Sequence, residues 1–323
     1  MPSNRSLLLA TAIAPALWGT TYLVTTEFLP PDRPFLAGTL RALPAGLILL
    51  AATRTLPRGQ WWWKAAVLGT LNIGAFFALL FVSAYRLPGG VSATLGAVNP
   101  IIATVLAMVV IHEAVRRNAI LAAILGMIGV AMLVLSPEAQ LDWIGVIAGL
   151  LGGTSTALGV VLTKKWGRPV PLLSFTAWQL VAGGLFLVIP ALLFEGLPDG
   201  LSAANMAGYA WLAIPGAVLS YLLWFRGILA LPASRVVILT FLAPLVATML
   251  GWLVLSETLS PLQWAGAGVI LFSVWLGSRP DRATTPAAAS ADNMPVCDES
   301  GNKADSARVP VTSGHTPAHT LGG

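Results

Sequence analysis

Long runs of apolar residues follow one another along most of this chain, and they constrain its fold more than any other feature. A helix of about 20 apolar residues crosses a bilayer core of about 30 Å. Runs of about this length occupy residues 7–27, 35–53, 64–85, 89–111, 118–135, 142–163, 172–194, 207–229, 234–256 and 262–278. Inside lipid the backbone must satisfy its own hydrogen bonds, so such runs become helices. The sequence therefore predicts an all-α polytopic membrane protein with ten transmembrane helices.

Charged residues are too few for a soluble protein. Asp, Glu, Lys and Arg make up 10% of the 323 residues and hydrophobic residues 56%, whereas a soluble domain has about 25% charged residues. The single cysteine, Cys297, excludes a disulfide framework and a multi-thiol metal centre. We expect no metal and no cofactor. The net charge of +5 does not indicate nucleic-acid binding, because the basic residues lie in short loops between apolar runs.

These basic residues predict the orientation in the membrane, since Lys and Arg collect on the cytoplasmic side. With a cytoplasmic N-terminus, the outer helix ends carry only Arg33 and Arg86. The cytoplasmic ends then carry Arg5, Arg54, Arg58, Lys64, Arg116, Arg117, Lys164, Lys165, Arg168, Arg235, Arg279 and Arg282. We therefore expect a multi-pass protein of the cytoplasmic (inner) membrane with both termini cytoplasmic.

Residues 279–323 have a different composition. They contain no aromatic residue and are rich in Ala, Ser, Thr and Pro, so they cannot bury enough apolar surface to fold alone. We predict a disordered cytoplasmic tail. His315 and His319 lie four residues apart there, but Pro317 separates them and disfavours a helical metal site.

The remaining chain contains an internal repeat. At an offset of 144, nine of the 29 residues in 87–115 are identical in 231–259, and the identities include the pairs Pro100/Pro244 and Glu113/Glu257. At an offset of 138, Arg41 aligns with Gln179 and Ala45-Gly46 with Gly183-Gly184. Five helices per copy reverse the direction of the second copy, which is typical of alternating-access carriers. We predict two inverted five-helix repeats, residues 1–137 and 138–278.

Pro100 and Pro244 lie in the middle of their apolar runs. Proline lacks an N–H and displaces the carbonyl four residues earlier, here those of Gly96 and Thr240. The prolines either act as gate hinges beside a central path or serve helix packing alone. Glu113 and Glu257, which end the same runs, are expected to cap the helices that follow them.

Polar and aromatic residues near the centres of the runs predict a substrate site, although stripes of this kind also serve packing. The candidates are Trp18, Tyr22, Arg41, Asn72, Phe77, Asn99, Gln179, Tyr221 and Trp224. Pairs such as Trp18 with Tyr22 share one helix face. Arg41 must face protein or water rather than lipid, so it either attracts a substrate carboxylate or holds helices together through backbone carbonyls.

Several of these residues resemble a known family. Trp18-Gly19 with Tyr22, Asn99-Pro100, and Glu257 followed by Gln263 and Gly266 are similar to the EamA group of the drug/metabolite transporter (DMT) superfamily. The resemblance covers residues 7–278. It implies a ten-helix inverted-repeat carrier that exports small metabolites, amino acids among them. Ala122 and Arg116-Arg117 depart from the family pattern.

We therefore expect a secondary transporter, not an enzyme, that exports amino acids or related small metabolites through a central cavity between the repeats. Its partners are a small-molecule substrate and the lipid bilayer, and monomer and homodimer both stay open. No Asp or Glu lies in the middle third of a predicted helix, which predicts no obligatory proton coupling.

Two other classes of function are weighed against a carrier. A polytopic membrane enzyme acting on lipid needs a cluster of acids, His or Cys, and the apolar region offers His112 beside Glu113. A passive channel or scaffold does not need the matched prolines.

Overall fold

The computed structural model describes residues 4–86, 95–114, 117–134, 142–198, 200–256 and 258–279. Every regular element in these ranges is a helix. The predicted tail beyond Arg279 lies outside the described residues.

The helices follow the apolar runs, and we number continuous helical stretches together. The first half gives α1 (Asn4–Phe28), α2 (Pro34–Thr53), α3 (Trp61–Gly69, Thr70–Gly74 and Ala75–Arg86), α4 (Asn99–Ile111) and α5 (Arg117–Val134). The second half gives α6 (Trp143–Trp166), α7 (Leu172–Pro190 and Ala191–Glu195), α8 (Ala203–Ala213, Ile214–Leu219 and Ser220–Ala230), α9 (Ala233–Ile238, Leu239–Phe241 and Leu242–Val254) and α10 (Pro261–Ser278).

Seven of the described helices, α1 to α3 and α6 to α9, are long and apolar enough to cross a membrane. Helix α4 has 13 residues, and α5 and α10 have 18 each. The prediction of an all-helical polytopic protein is confirmed. The number of ten spans stays a prediction.

Side-chain caps define where three helices of the second half begin. The Asp142 carboxylate accepts the Gly145 N–H at the start of α6. Ser202 and Ser260 form capping boxes with Asn205 and Gln263 at the starts of α8 and α10. Each cap satisfies backbone N–H groups that have no partner within the helix.

The helices pack in pairs that cross between the two halves of the chain. Helix α2 packs against α7 and α5 against α10, while α6 packs against α3 and α4, and α1 against α8 and α9. The α2–α7 crossing depends on two glycines. A Cβ at Gly46 would lie 2.6 Å from the Val181 backbone nitrogen, and one at Gly184 would lie 2.8 Å from Leu43. Only glycine permits this approach of the two backbones.

The two prolines differ from the expectation of kinks inside continuous helices. Helix α4 begins at Asn99, so Pro100 lies in its first turn, where the missing N–H removes no helical hydrogen bond. Gly96 precedes this start. In α9, Pro244 follows the 3₁₀ turn Leu239–Phe241, within which the Thr240 hydroxyl donates to the Val237 carbonyl at 2.6 Å. The prolines therefore accompany irregular helix geometry, and their hinge role stays a prediction.

Candidate functional site

A π turn at Ile214–Leu219 interrupts the regular hydrogen bonding of α8. Such turns occur frequently at functional sites. The Gly216 carbonyl in this turn accepts two side-chain hydrogen bonds, one from Arg41 Nη2 at 2.7 Å and one from Ser220 Oγ at 2.6 Å. This carbonyl thus joins α2 to α8.

Arg41 is buried in the middle of α2, with 5% of its surface exposed. Besides its bond to Gly216, it donates from Nη1 to Thr21 Oγ1 at 3.3 Å, and its guanidinium lies 5.2 Å from the Phe77 ring centroid. Its Nε has no hydrogen-bond partner in the described structure. Among the described residues no carboxylate forms an ion pair with it. Arg41 is therefore a buried cation without an acidic partner in that part of the chain.

Aromatic rings adjoin this cation. Trp18 donates from Nε1 to Ser220 Oγ at 2.9 Å. Its ring centroid lies 5.4 Å from that of Tyr221 and 5.1 Å from that of Trp224. We call this group the Arg41 site, and its residues are Trp18, Thr21, Arg41, Phe77, Gly216, Ser220, Tyr221 and Trp224.

The structure brings five of the nine predicted residues into the Arg41 site, namely Trp18, Arg41, Phe77, Tyr221 and Trp224. Thr21, Gly216 and Ser220 were missed because small residues in an apolar run give no signal of their own. The one available cue is the spacing of four that puts Gly216 and Ser220 on the same face of α8.

Asn72 and Gln179 form a second group with each other. Asn72 lies in the π turn Thr70–Gly74 of α3 and donates from Nδ2 to Gln179 Oε1 at 2.8 Å and to Thr163 Oγ1 at 3.2 Å. Gly159 packs directly on the Asn72 carboxamide, where a Cβ would overlap it. All these side chains are buried, and Gln179 Nε2 has no partner in the described structure. We call Asn72, Gly159, Thr163 and Gln179 the Gln179 cluster.

The two remaining candidates lie on α4 and α1. Asn99 is buried at the start of α4, and its Oδ1 has no partner among the described residues. The side chain of Tyr22 lies outside the described part of the structure.

The side chains of the Arg41 site are packed together. Phe77, Tyr221 and Trp224 are 7%, 5% and 3% exposed. The sequence predicts residues that line a central cavity, whereas the rings of Tyr221 and Trp224 both contact the Trp18 ring in this conformation. Substrate entry at this site would require the rings to move apart.

The end of α4 is held to the second half by a carboxylate. Glu113 accepts hydrogen bonds from Lys164 Nζ at 2.7 Å, from the Ala233 N–H at 3.0 Å, and from the N–H and hydroxyl of Ser234 at 3.3 and 3.1 Å. Burial raises the pKa of Glu113, but these bonds and the Lys164 charge outweigh it and keep the pKa below its usual value. We call these four residues the Glu113 cluster.

The Glu113 cluster corrects one expectation. Glu113 caps the N-terminus of α9, in the other half of the chain, rather than the helix that follows it. The reason is tertiary: the first N–H groups of α9 point at this carboxylate, and an anion there is favourable. Glu257, its partner in the repeat, lies outside the described residues.

A similar cap joins α7 to α2. The Glu195 carboxylate accepts the N–H groups of Phe35 and Leu36 at 2.6 and 2.7 Å, at the start of α2. Arg33 donates to the carbonyls of Glu195 and Gly196 at 3.1 and 3.0 Å. Carboxylates thus tie the two halves together at Glu113 and at Glu195.

Known proteins resemble the whole helical region. The model of the EamA-like transporter family matches residues 5–135 and again residues 143–279. Protein PecM of Dickeya dadantii (strain 3937) is 48% identical over 262 residues, which cover 80% of this chain and 88% of PecM. The uncharacterized inner membrane transporter YedA of Escherichia coli (strain K12) is 25% identical over 265 residues, which cover 80% of this chain and 86% of YedA.

A solved crystal structure of a protein also matches, with a TM-score of 0.74 over 85% of this chain and 98% of the other. Its sequence identity is 19%, so the match concerns the fold alone.

Proposed function

Because the chain belongs to the EamA-like transporter family, we propose that it exports amino acids or related small metabolites as a secondary transporter working by alternating access. The family membership confirms the resemblance that the sequence motifs indicated, and the chain is a multi-pass membrane protein of the transporter class. The substrate, the direction and the mechanism are the proposal.

The proposal that the substrate bears a carboxylate rests on the unpaired charge of Arg41. A buried guanidinium is costly unless an anion or several acceptors accompany it. Arg41 has two hydrogen-bond acceptors, and its Nε has no partner in the described structure. A substrate carboxylate would supply the missing negative charge through a charge-assisted hydrogen bond.

The rings around Arg41 favour substrates with an apolar or aromatic portion. The Phe77 ring lies against the guanidinium, and Trp18, which contacts Tyr221 and Trp224, is linked through Ser220 to the Gly216 carbonyl that Arg41 also binds. Aromatic rings bury large areas and prefer tilted or edge contacts with other rings. An amino acid whose carboxylate binds Arg41 would place its side chain against these rings.

The two-repeat arrangement is supported by matched pairs of contacts. The packing of α3 and α4 on α6 corresponds, helix by helix, to the packing of α8 and α9 on α1. At an offset of 138, the contact of Gly46 with Val181 corresponds to that of Gly184 with Leu43. The π turns Thr70–Gly74 and Ile214–Leu219 begin 144 residues apart. These correspondences favour a pseudo-twofold axis between the halves, with the Arg41 site close to it.

The Glu113 cluster supports alternating access. By the distribution of basic residues it lies at the cytoplasmic end, where it joins α4, α6 and α9. A carrier must close one end while the other opens, and hydrogen bonds between moving helices are suited to that task. The described conformation corresponds to a closed cytoplasmic end.

The alternatives receive no support from the site. Glu113, the acid beside His112, is already engaged by Lys164, Ala233 and Ser234, which leaves the pair without a free carboxylate for lipid chemistry. A channel would not need a buried site, such as the Arg41 site, whose aromatic rings must move apart before a solute can enter.

The test is efflux of a panel of labelled metabolites from proteoliposomes that contain the wild-type chain or Arg41→Gln. The proposal requires export of carboxylate-bearing solutes that depends on Arg41, with no single-channel conductance in planar bilayers. Export that is indifferent to the carboxylate, or a measurable conductance, would contradict it.

A second test addresses the inverted repeat. Single cysteines are introduced at positions 116 and 259 in a Cys297→Ser background and labelled with an impermeant maleimide. The proposal requires labelling from opposite sides of the membrane.

A further inference from the structure

A groove between α2, α3 and α7 differs in chemistry from the Arg41 site. Its volume is about 340 Å³, and apart from Thr70 its walls are apolar, with Leu50, Pro57, Trp62, Ala66, Trp178 and Leu185 among them. The groove walls contain no charged side chain, and apart from Thr70 they offer little to which a polar solute could hydrogen-bond. Its apolar walls suit a hydrocarbon chain.

The loop between α2 and α3 contributes Leu56 and Pro57 to the wall of this groove and is fixed in place. Trp178 donates from Nε1 to the Thr55 carbonyl at 2.7 Å, and Pro57 is buried. Leu56 and Trp62, also groove residues, are 57% and 58% exposed. Large apolar side chains exposed at the end of a transmembrane helix are typical of the region where lipid chains meet headgroups.

The same loop carries two cations. Arg54 and Arg58 flank the groove residues Leu56 and Pro57, and both side chains are exposed. Within the described ranges their guanidinium groups form no hydrogen bond and no ion pair. The chain has no Asp or Glu between residues 34 and 86. Lys64 adds a third positive charge nearby, 5.2 Å from the Trp61 ring centroid.

We propose that this groove binds one acyl chain of an anionic phospholipid, and that Arg54 and Arg58 bind its phosphate. The charge at this end of the groove favours an anionic headgroup over a zwitterionic one. It also disfavours a second copy of this chain, because a twofold axis at the groove would bring the same cations face to face. The inference is independent of which solute is transported.

The test is native mass spectrometry of the full chain, purified in mild detergent and incubated with equal amounts of phosphatidylglycerol and phosphatidylcholine. We expect retention of phosphatidylglycerol and little phosphatidylcholine. Near a membrane surface each basic residue contributes about a fivefold preference for anionic lipid, so Arg54→Gln/Arg58→Gln should weaken phosphatidylglycerol retention roughly 25-fold.

Two further variants make the result specific. Ala66→Trp fills the groove from an exposed position and leaves both arginines in place, so it should also reduce phosphatidylglycerol retention. Lys165→Gln removes an exposed cation outside the groove and should change nothing. The thermal unfolding temperature of each variant is measured alongside.

Equal retention of the two lipids would overturn the proposal, as would unchanged phosphatidylglycerol binding in both the double variant and Ala66→Trp. A dimer mass that disappears in Ala66→Trp, without loss of lipid from the monomer, would assign the groove to a second copy instead.

Discussion

The Arg41 site and the Gln179 cluster occupy corresponding positions of the repeat but are built differently. The repeat offsets pair Thr21 with Gly159, Arg41 with Gln179, and Gly216 with Asn72. Where one group has a glycine, the other has a side chain. Arg41 binds a backbone carbonyl at the π turn, whereas Gln179 binds the Asn72 side chain.

The two groups differ in whether they bury a charge. In the Gln179 cluster the Asn72 amide donates to the Gln179 amide, and the group buries no charge, although Asn72 Oδ1 and Gln179 Nε2 have no partner in the described structure. In the Arg41 site a charge remains that the described protein does not neutralise. The proposed repeat thus pairs a neutral contact between amides with a buried charge, at which we propose that the substrate binds.

The largest expected effect comes from removing this difference. Arg41→Gln gives α2 the residue of α7 and should lower export of carboxylate-bearing solutes about 10- to 150-fold, which corresponds to the loss of one hydrogen bond to a charged group. The measurement is the initial efflux rate per molecule of protein in the membrane. Arg226→Gln, at an exposed position on α8, is the matched control. An equal loss of efflux rate in both variants would mean that Arg41 is not part of the substrate site.

Substitution of the aromatic residues of the Arg41 site should lower export by a smaller factor than Arg41→Gln. Trp18→Ala and Tyr221→Ala each remove ring contacts worth about 0.5–1.5 kcal/mol beyond their area, so export should fall roughly 2- to 10-fold at unchanged surface expression. Trp143→Ala, which removes a ring that is 73% exposed, should leave export unchanged. A parallel loss of export and expression would assign Trp18 and Tyr221 to packing.

Substitution in the Gln179 cluster should affect stability rather than selectivity. Gln179→Leu leaves the Asn72 amide without its acceptor and should cost about 1–3 kcal/mol of unfolding free energy. The double variant Asn72→Leu/Gln179→Leu removes both partners and should recover part of that loss. Thermal unfolding in detergent measures both. Loss of export by Gln179→Leu without loss of stability would instead make this cluster a second substrate contact.

The Glu113 cluster extends the comparison to the helix ends, because Lys164 aligns with the uncharged Thr26 at an offset of 138. Glu113→Gln should raise maleimide labelling of a cysteine at position 233 roughly 3- to 10-fold, since it weakens hydrogen bonds of about 1 kcal/mol across α4 and α9. Lys165→Gln is the control. Unchanged labelling would mean that the cluster does not hold this end closed.

The pH dependence of that labelling follows from the lowered pKa of Glu113. A carboxyl whose pKa is lower in the folded protein stabilises it above the unfolded pKa and loses this contribution as pH falls through the folded pKa. The cluster should therefore persist at neutral pH, and labelling at position 233 should rise only below the ordinary range of a carboxyl group. A rise near neutral pH would contradict this assignment.

Much of the helical structure could be predicted from the sequence, because a backbone inside lipid must satisfy its own hydrogen bonds. The apolar runs predicted the helices, and the offset of 138 aligned Gly46 with Gly184, the two glycines at the crossing of α2 and α7. The motifs around Trp18 and Pro100 identified the family. Arg41 was recognised as unusual from its position alone, since a cation in the middle of an apolar run requires a special environment.

Only the tertiary structure decided which partners these residues have. Gln179 and Asn72 were both predicted for the substrate site, and the structure shows that they hydrogen-bond to each other. Glu113 looked like a local cap, yet it caps α9. The period of a helix fixes the face on which a residue lies, but the crossing of helices from distant parts of the chain fixes what that face meets. Hydrogen bonds such as that from Arg41 to Gly216 join residues 175 positions apart, and no local pattern encodes such a contact.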